Sequence, residues 1–305
     1  MTTLRLGTRG SALALAQAQW VADRLHAGGW DVSLDIIRTT GDRISERAFS
    51  PGDGKGVFVA EIERALLAGQ IDLAVHSMKD LPGEMPPELC LAAVPAREDP
   101  RDVLVSRDGA TLADLPPGAV IGTSSLRRRA QLLAARPELT ISDMRGNIDT
   151  RLRKLEDGHY DAICLAAAGL HRLQLASRIS EYLPVELMVP AVGQGALALQ
   201  TRTDDTRLRA ALAALNDAAT EPAVTAERTV LAALGGGCSI PLGVLATVGP
   251  QGLTLRAALC SPDGRQTLRD TLHGTGEPEA LGQALAERLR TRAREVGIVL
   301  TGSKP

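Results

Sequence analysis

Leu6-Gly7-Thr8-Arg9-Gly10-Ser11 and Ile121-Gly122-Thr123-Ser124-Ser125-Leu126 share one grammar: an apolar strand end, then Gly-Thr, then a serine able to cap a helix. Each is followed, in the same order, by a second related stretch. These are Gly69-Gln70-Ile71-Asp72-Leu73-Ala74-Val75 and, more faintly, Gly158-His159-Tyr160-Asp161-Ala162-Ile163-Cys164. Two copies of one α/β unit are the economical reading, with chance similarity of short strings as the alternative. Leu4-Arg5-Leu6 and the alternating Val32, Leu34 and Ile36 predict strands, and Leu13, Trp20, Val21 and Leu25 predict the helix between them. Phe58, Ile62, Ala65 and Leu66 mark another helical face before the strand at 71–75. Strands and helices alternating at this spacing predict α/β lobes with mainly parallel sheets covered by helices.

The chain can leave the first lobe through Glu98-Asp99-Pro100-Arg101-Asp102 and return through Pro190-Ala191-Val192-Gly193-Gln194-Gly195, ahead of a strand at 197–200 and a helix at 206–215. Thr220-Glu221-Pro222 reads as a cap and an early proline opening a third unit. Its strands at 244–248 and 253–259 and its last helix at 279–294 make a small α+β domain. The expected domains are 1–98 with 194–218, then 99–193, then 219–305. Residues 39–56, rich in Gly, Ser, Asp and Arg, read as a long loop, and its length and polarity predict a lid.

Composition narrows the function. A chain of 305 residues can bury several cores, which excludes a small disulfide-dependent scaffold. Two Trp, two Tyr and two Phe leave little for stacking on bases, and a formal charge of -2 lacks the net basic character of a duplex binder, so nucleic acid is not an expected partner. Of the 34 basic residues only Lys55, Lys79, Lys154 and Lys304 are lysines; the rest are arginines, whose planar fork matches carboxylate and phosphate. Cys90, Cys164, Cys238 and Cys260 include no CxxC pair, so neither a zinc ribbon nor a dithiol motif is expected, and no metal. With no charged head and apolar run at the start, and no apolar run of membrane-spanning length, cytoplasmic residence away from the membrane is the expectation.

In open parallel sheets ligands bind beyond the carboxyl ends of the strands. Four segments fall there: Thr8-Arg9-Gly10-Ser11, His76-Ser77-Met78-Lys79-Asp80, Thr123-Ser124-Ser125-Leu126-Arg127-Arg128, and Arg145-Gly146-Asn147 followed by Arg151. Their hydroxyls, helix-start amides and cations favour anionic groups. Asp80 beside Lys79 is the odd member. It is either a carboxylate that binds an N–H, steadies a cation or passes a proton, or a solvated partner of a neighbouring cation. His76 suits support of its loop or direct participation. Arg127-Arg128-Arg129 opens a helix where the macrodipole disfavours cations, which an anion bound at that helix start would explain. Lys55 in Gly54-Lys55-Gly56 lacks the Ser or Thr and the upstream glycine of a phosphate loop. Cys238 follows Gly235-Gly236-Gly237, and reads either as a small buried thiol beside a turn or as an attachment point given room by the glycines.

Together Thr8-Arg9-Gly10-Ser11, Val75-His76-Ser77-Met78-Lys79-Asp80, Gly122-Thr123-Ser124-Ser125-Leu126-Arg127-Arg128, Arg145-Gly146-Asn147, Pro190-Ala191-Val192-Gly193-Gln194-Gly195 and Gly236-Gly237-Cys238 resemble the porphobilinogen deaminase (hydroxymethylbilane synthase) family, in order and over nearly the whole chain. The resemblance implies two lobes like periplasmic binding proteins plus a small C-terminal domain. It also implies an enzyme that joins four porphobilinogen units head to tail with release of ammonia, giving the linear tetrapyrrole hydroxymethylbilane. A covalent dipyrromethane primer, held by a thioether to Cys238, would be its cofactor, and a monomer its working form. Asp80 would be the catalytic carboxylate, binding pyrrole N–H groups and stabilising the cationic azafulvene. The resemblance sets Ser77, Lys79, Thr123, Ser125, Arg127, Arg128, Arg145 and Gly146 around the primer, and Arg9, Ser11, Gln17, Arg151, Arg172, Lys55 and Phe58 toward the substrate. The chain departs from the family pattern at Gly235, where an acidic residue is common, and at Gly10 and Ala12. A solute receptor or a regulator's ligand domain is the alternative from another class; it leaves Cys238 and Asp80 unexplained.

Overall fold

Among the described residues the alternating stretches become two five-stranded sheets and one of three strands. The computed structural model describes residues 3–38, 59–83, 85–235 and 240–298. The first sheet contains β1 (Leu4–Thr8), β2 (Val32–Ile36), β3 (Leu73–Ser77), β4 (Leu89–Ala93) and, much later in the chain, β10 (Leu197–Arg202). The second contains β5 (Asp102–Ser106), β6 (Val120–Gly122), β7 (Thr140–Ser142), β8 (Ala162–Ala166) and β9 (Glu181–Tyr182). Their orders are β2-β1-β3-β10-β4 and β7-β6-β8-β5-β9. In each, a central strand lies parallel to two neighbours, and the strand fed by a crossing segment, β10 or β5, inserts antiparallel beside the third.

The repeat holds at the level of single residues. Leu6 pairs with Leu73 and Gly7 with Ala74, while Ile121 pairs with Ala162 and Gly122 with Ile163, the register that the two sequence echoes require. Asp72 exchanges bonds with Arg5: its N–H donates to the Arg5 carbonyl at 2.9 Å, and its Oδ2 accepts from the Arg5 N–H at 3.1 Å. Asp161 does the same with Val120, at 2.9 and 2.8 Å. Each carboxylate also takes a guanidinium from just beyond or within the antiparallel strand, Arg202 on Asp72 at 3.1 Å and Arg107 on Asp161 at 2.8 Å. Gly7 and Gly122 match as well. A Cβ at Gly7 would strike Ile71, and one at Gly122 would lie 2.9 Å from the ring of Tyr160, the residue in the corresponding position.

Helices α1 (Ala12–Ala27), α2 (Ala60–Leu67), α3 (Leu126–Ala135) and α4 (Ile148–Glu156) follow or precede the parallel strands and cover the sheets. Leu6, Val21, Leu25, Leu73 and Leu199 form one core of the first sheet. In the second, Leu104, Ile121, Leu132 and Cys164 pack on one side, and Val103, Val105, Leu155 and Ile163 on the other. Burial on both faces is why β5 and β8 are apolar along most of their length. The chain divides into two compact units, Met1–Glu98 with Ala196–Glu221, and Asp99–Gly195 with Pro222–Pro305. Short helices α5 (Ala167–Arg172) and α6 (Thr206–Leu212) complete the lobes.

The second unit also holds the three-stranded antiparallel sheet, β11 (Leu242–Gly249), β12 (Gly252–Cys260) and β13 (Thr267–Gly274). Helices α7 (Thr220–Ala233) and α8 (Pro278–Glu295) bury Ala226, Val230, Leu285 and Leu289 against its Val244, Leu255 and Leu259. The cap of α7 differs from expectation. Asp217 accepts from the Thr220 N–H at 2.7 Å, while the Thr220 hydroxyl accepts from the Arg97 N–H at 3.0 Å, so the acceptor three residues upstream takes the cap role. The buried Glu227 carboxylate accepts from the N–H groups of Gly193 at 2.7 Å and Ala246 at 2.8 Å, tying the second crossing segment to this sheet. The expected lid at 39–56 and the start of the helix at Phe58 lie outside the described residues.

β11 approaches the segment at 189–190 through Gly243, and the Val244 N–H donates to the Pro190 carbonyl at 2.9 Å. A Cβ at Gly243 would collide with the Val189 carbonyl oxygen and lie 3.0 Å from that of Pro190, both backbone atoms held in place. Gly243→Ala is expected to lower stability by about 1–3 kcal/mol in urea unfolding. Gly249→Ala, whose Cβ meets nothing nearer than 4.0 Å, is expected to change it by less than about 0.5 kcal/mol.

Candidate functional site

The carboxyl ends of β1 and β3 carry the first group of predicted residues. Ser11 caps α1, its Oγ accepting from the Ala14 N–H at 3.3 Å, and the buried Thr8 hydroxyl donates to the Ala14 carbonyl at 3.1 Å. The loop carrying Arg9 is thereby fixed at both ends. After β3 the chain makes a 3-10 turn over Met78–Asp80, burying Met78 and leaving Lys79 and Asp80 exposed. Arg9, Ser11, Gln17, Ser77 and Asp80 then line a single solvent-open pocket, with His76 and Val59. Lys79 adjoins it in sequence. Gln17 and Ser77 satisfy each other: the amide donates to Ser77 Oγ at 2.9 Å, and the hydroxyl lies 3.2 Å from Gln17 Oε1.

His76 is buried in the wall of this pocket, Nε2 lying 3.0 Å from Gln200 Oε1. Burial, opposed by the hydrogen bond to Gln200 and reinforced by the charge of Arg9, brings its pKa down to about 4. The imidazole is therefore neutral at physiological pH.

The second group lies in the second unit, at the carboxyl ends of β6 and β7. Ser125 caps α3, accepting from the Arg128 N–H at 3.4 Å, and the buried Thr123 hydroxyl accepts from the Ser125 N–H at 3.2 Å. Ser124 Oγ bridges to the backbone of Met144, which holds the next loop close to this one. That loop exposes Arg145, and Gly146 turns it with φ at 113°, a left-handed value that favours glycine. Arg151, on α4, donates from Nε to the Gly146 carbonyl at 2.8 Å, and Arg172 donates to the Gly195 carbonyl at 2.7 Å.

Arg127 and Arg128 stand differently. An anion does answer the charge at this helix start, and it is the chain's own Asp102. Arg127 Nη1 and Nη2 reach Oδ2 and Oδ1 at 2.6 and 3.2 Å, and Arg128 Nε reaches Oδ1 at 2.9 Å. Gln194 adds a bond at 3.0 Å. Arg127 Nη1 also donates to the Val189 carbonyl at 2.8 Å, and Arg128 Nη1 donates to that of Cys164 at 2.9 Å. Asp102 is fully buried and both arginines nearly so. Asp102 is masked in the sequence by the neighbouring charges of a crossing segment, and its one signal there is an acidic residue opening an otherwise apolar strand run.

Burial pushes the Asp102 carboxyl up, but the charges of Arg127 and Arg128 and the bonds from Arg127 and Gln194 outweigh it and hold the group well below the ordinary carboxylate range. A carboxyl with a lowered native pKa stabilises the fold above its unfolded value of 3.8, and that contribution is lost as the pH falls toward the native value. Asp102→Ala leaves two buried cations unpaired and is expected to cost about 3–5 kcal/mol in denaturant unfolding at neutral pH. The gap from wild type is expected to narrow only below about pH 4.

Cys238, Lys55 and Phe58 lie outside the described residues. The family model "Porphobilinogen deaminase, dipyromethane cofactor binding domain" matches residues 4–210, and "Porphobilinogen deaminase, C-terminal domain" matches 222–291. Porphobilinogen deaminase of Brevibacillus brevis is 52% identical over 288 residues, covering 93% of each chain. That of Syntrophotalea carbinolica is 51% identical over 297 residues, covering 96% of this chain and 94% of its own. Among solved structures, an ancestral cationic amino acid solute binding protein overlays 69% of this chain and 86% of its own at 15% identity, with a TM-score of 0.44. With both family models matched in order and half the residues shared with full-length relatives, the chain belongs to the porphobilinogen deaminase family.

Proposed function

We propose that this chain joins four porphobilinogen molecules head to tail, releasing ammonia at each addition, to give hydroxymethylbilane for tetrapyrrole biosynthesis. A dipyrromethane primer attached to Cys238 supplies, when bound, the pyrrole carbon on which the product grows. The observation that carries this reading is the place of Asp80: an exposed carboxylate on a pocket whose other polar side chains are Arg9, Ser11, Gln17, His76 and Ser77. A site for anions alone would gain nothing from it. A substrate bearing two carboxylates and several N–H groups needs both kinds of partner.

In this reading Arg9, Ser11 and Lys79 hold carboxylates at the first unit, and Asp80 faces the pyrrole N–H. As the C–N bond breaks and ammonia departs, positive charge spreads over the ring, and a carboxylate near it stabilises that charge more than it stabilises the neutral ring. The donor set of the second unit fits the primer's acidic side chains: Thr123 and Ser125 at a helix start, with the exposed Arg145 nearby. Arg151 and Arg172 belong to the same carboxylate-binding role. Arg127 and Arg128 act there through the donors their bonds to Asp102 leave over, and by the positive field of two arginines on one carboxylate. Lys55, Phe58 and Gln17 are assigned to the incoming substrate on the family resemblance.

The three separate sheets support a division into domains at 1–98 with 194–218, 99–193 and 219–305. No helix among the described residues is long and apolar enough to cross a membrane. The reading has the protein act in the cytoplasm as a monomer, without nucleic acid.

Intact-mass measurement of the purified protein is expected to show an adduct of two pyrrole units, absent from Cys238→Ser; an unmodified wild type that consumes no porphobilinogen would refute the assignment. Asp80→Ala is expected to retain the adduct while turnover falls at least about a hundredfold. Turnover close to wild type would remove Asp80 from its role.

A further inference from the structure

Most polar side chains of the pocket beside Asp80 are already hydrogen-bonded within the fold. Arg9 only donates, Ser11 Oγ already accepts from the Ala14 N–H, and Gln17 and Ser77 are bonded to each other. The side chains whose acceptors are not already engaged are the Asp80 carboxylate and one ring nitrogen of His76. Which nitrogen it is follows from residues behind the wall. Glu63, on α2, accepts from Gln200 Nε2 at 2.8 Å. A carboxylate can only accept, so the amide group of Gln200 faces Glu63 and its Oε1 faces inward. Gln200 is fully buried on β10, where it lies diagonally across the ladder from His76 on β3. An amide oxygen 3.0 Å from His76 Nε2 requires the proton on that nitrogen, which leaves Nδ1 with its lone pair. Nδ1 makes no hydrogen bond among the described residues, and it is not among the side-chain atoms sealed from solvent without a partner.

We propose that Glu63 and Gln200 are positioning residues that lock His76 in the neutral, Nε2-protonated tautomer, so that His76 Nδ1 accepts a hydrogen bond from an N–H of the bound pyrrole substrate. This rests on the function proposed above. Porphobilinogen brings a pyrrole N–H and an aminomethyl group, and the pocket answers with two acceptors, one charged and one neutral. A protonated histidine would repel the ammonium, and the other tautomer would present a donor to a donor.

Glu63→Lys tests the lock by reversal. A lysine only donates, so it turns the Gln200 amide round, sets its NH2 toward His76 Nε2 and forces the proton to Nδ1. Long-range ¹H–¹⁵N spectra of the full chain with labelled histidine, at neutral pH, are expected to show Nε2–H in the wild type, a mixture in Glu63→Gln and Nδ1–H in Glu63→Lys. With the tautomer reversed, kcat/KM for porphobilinogen is expected to fall about ten- to hundredfold. An Nδ1–H histidine in the wild type, or one unmoved in Glu63→Lys, would overturn the lock. A reversed tautomer with kcat/KM within about twofold of wild type would overturn the contact with substrate. A wild type inert toward porphobilinogen would instead contradict the function, since the spectra report the tautomer without turnover.

Discussion

Two aspartates set the register from which both lobes are built. Asp72 and Asp161 each stand at the entry of a parallel strand and clamp the backbone of the strand beside it, Arg5 in one case and Val120 in the other. A guanidinium from the antiparallel side closes each clamp. A slip of one residue would exchange the faces of β1 or β6, bringing polar side chains into cores such as that of Leu6 and Leu73. With register held at the amino ends, Thr8 to Ser11 and Ser77 to Asp80 arrive at the carboxyl end of the first sheet, and Thr123 to Ser125 at that of the second. The proposed chemistry lies opposite the clamps, so each end of a sheet serves a different task.

The arginines divide by task on the same basis. Arg5, Arg107, Arg202 and the Asp102 partners Arg127 and Arg128 are bonded to carboxylates of the fold. Arg145, by contrast, is exposed at the carboxyl end of the second sheet. A buried pair of arginines on one aspartate contributes little net stability over an apolar packing of equal size, but it makes any loss of the aspartate costly. Its geometric effect is to fix the start of α3 against β5, and through Gln131 on Val189 to fix the crossing segment too.

Much of this was legible in the sequence, and the unread part has physical causes. The lobes could be read because their repeat includes Gly7 with Gly122 and Asp72 with Asp161, positions where backbone geometry admits few residues. The pocket could be read because strand ends, a Ser cap and Ser77-Met78-Lys79-Asp80 are local signals. Gln200, Glu63 and Glu227 were invisible, and Asp102 nearly so, because each acts on a partner distant in the chain. His76 reaches Gln200 across 124 positions, and Asp102 reaches Arg127 across 25. For Arg127 and Arg128, likewise, nothing nearby in sequence announced the carboxylate that meets them.

The central claim is that successive pyrrole units accumulate on one cysteine while Asp80 serves each addition. It is tested most directly by mass spectrometry of protease digests after brief exposure to limiting porphobilinogen. The account predicts a discrete series of added pyrrole units, all on the peptide containing Cys238. No increment, or increments spread over other peptides, would contradict it.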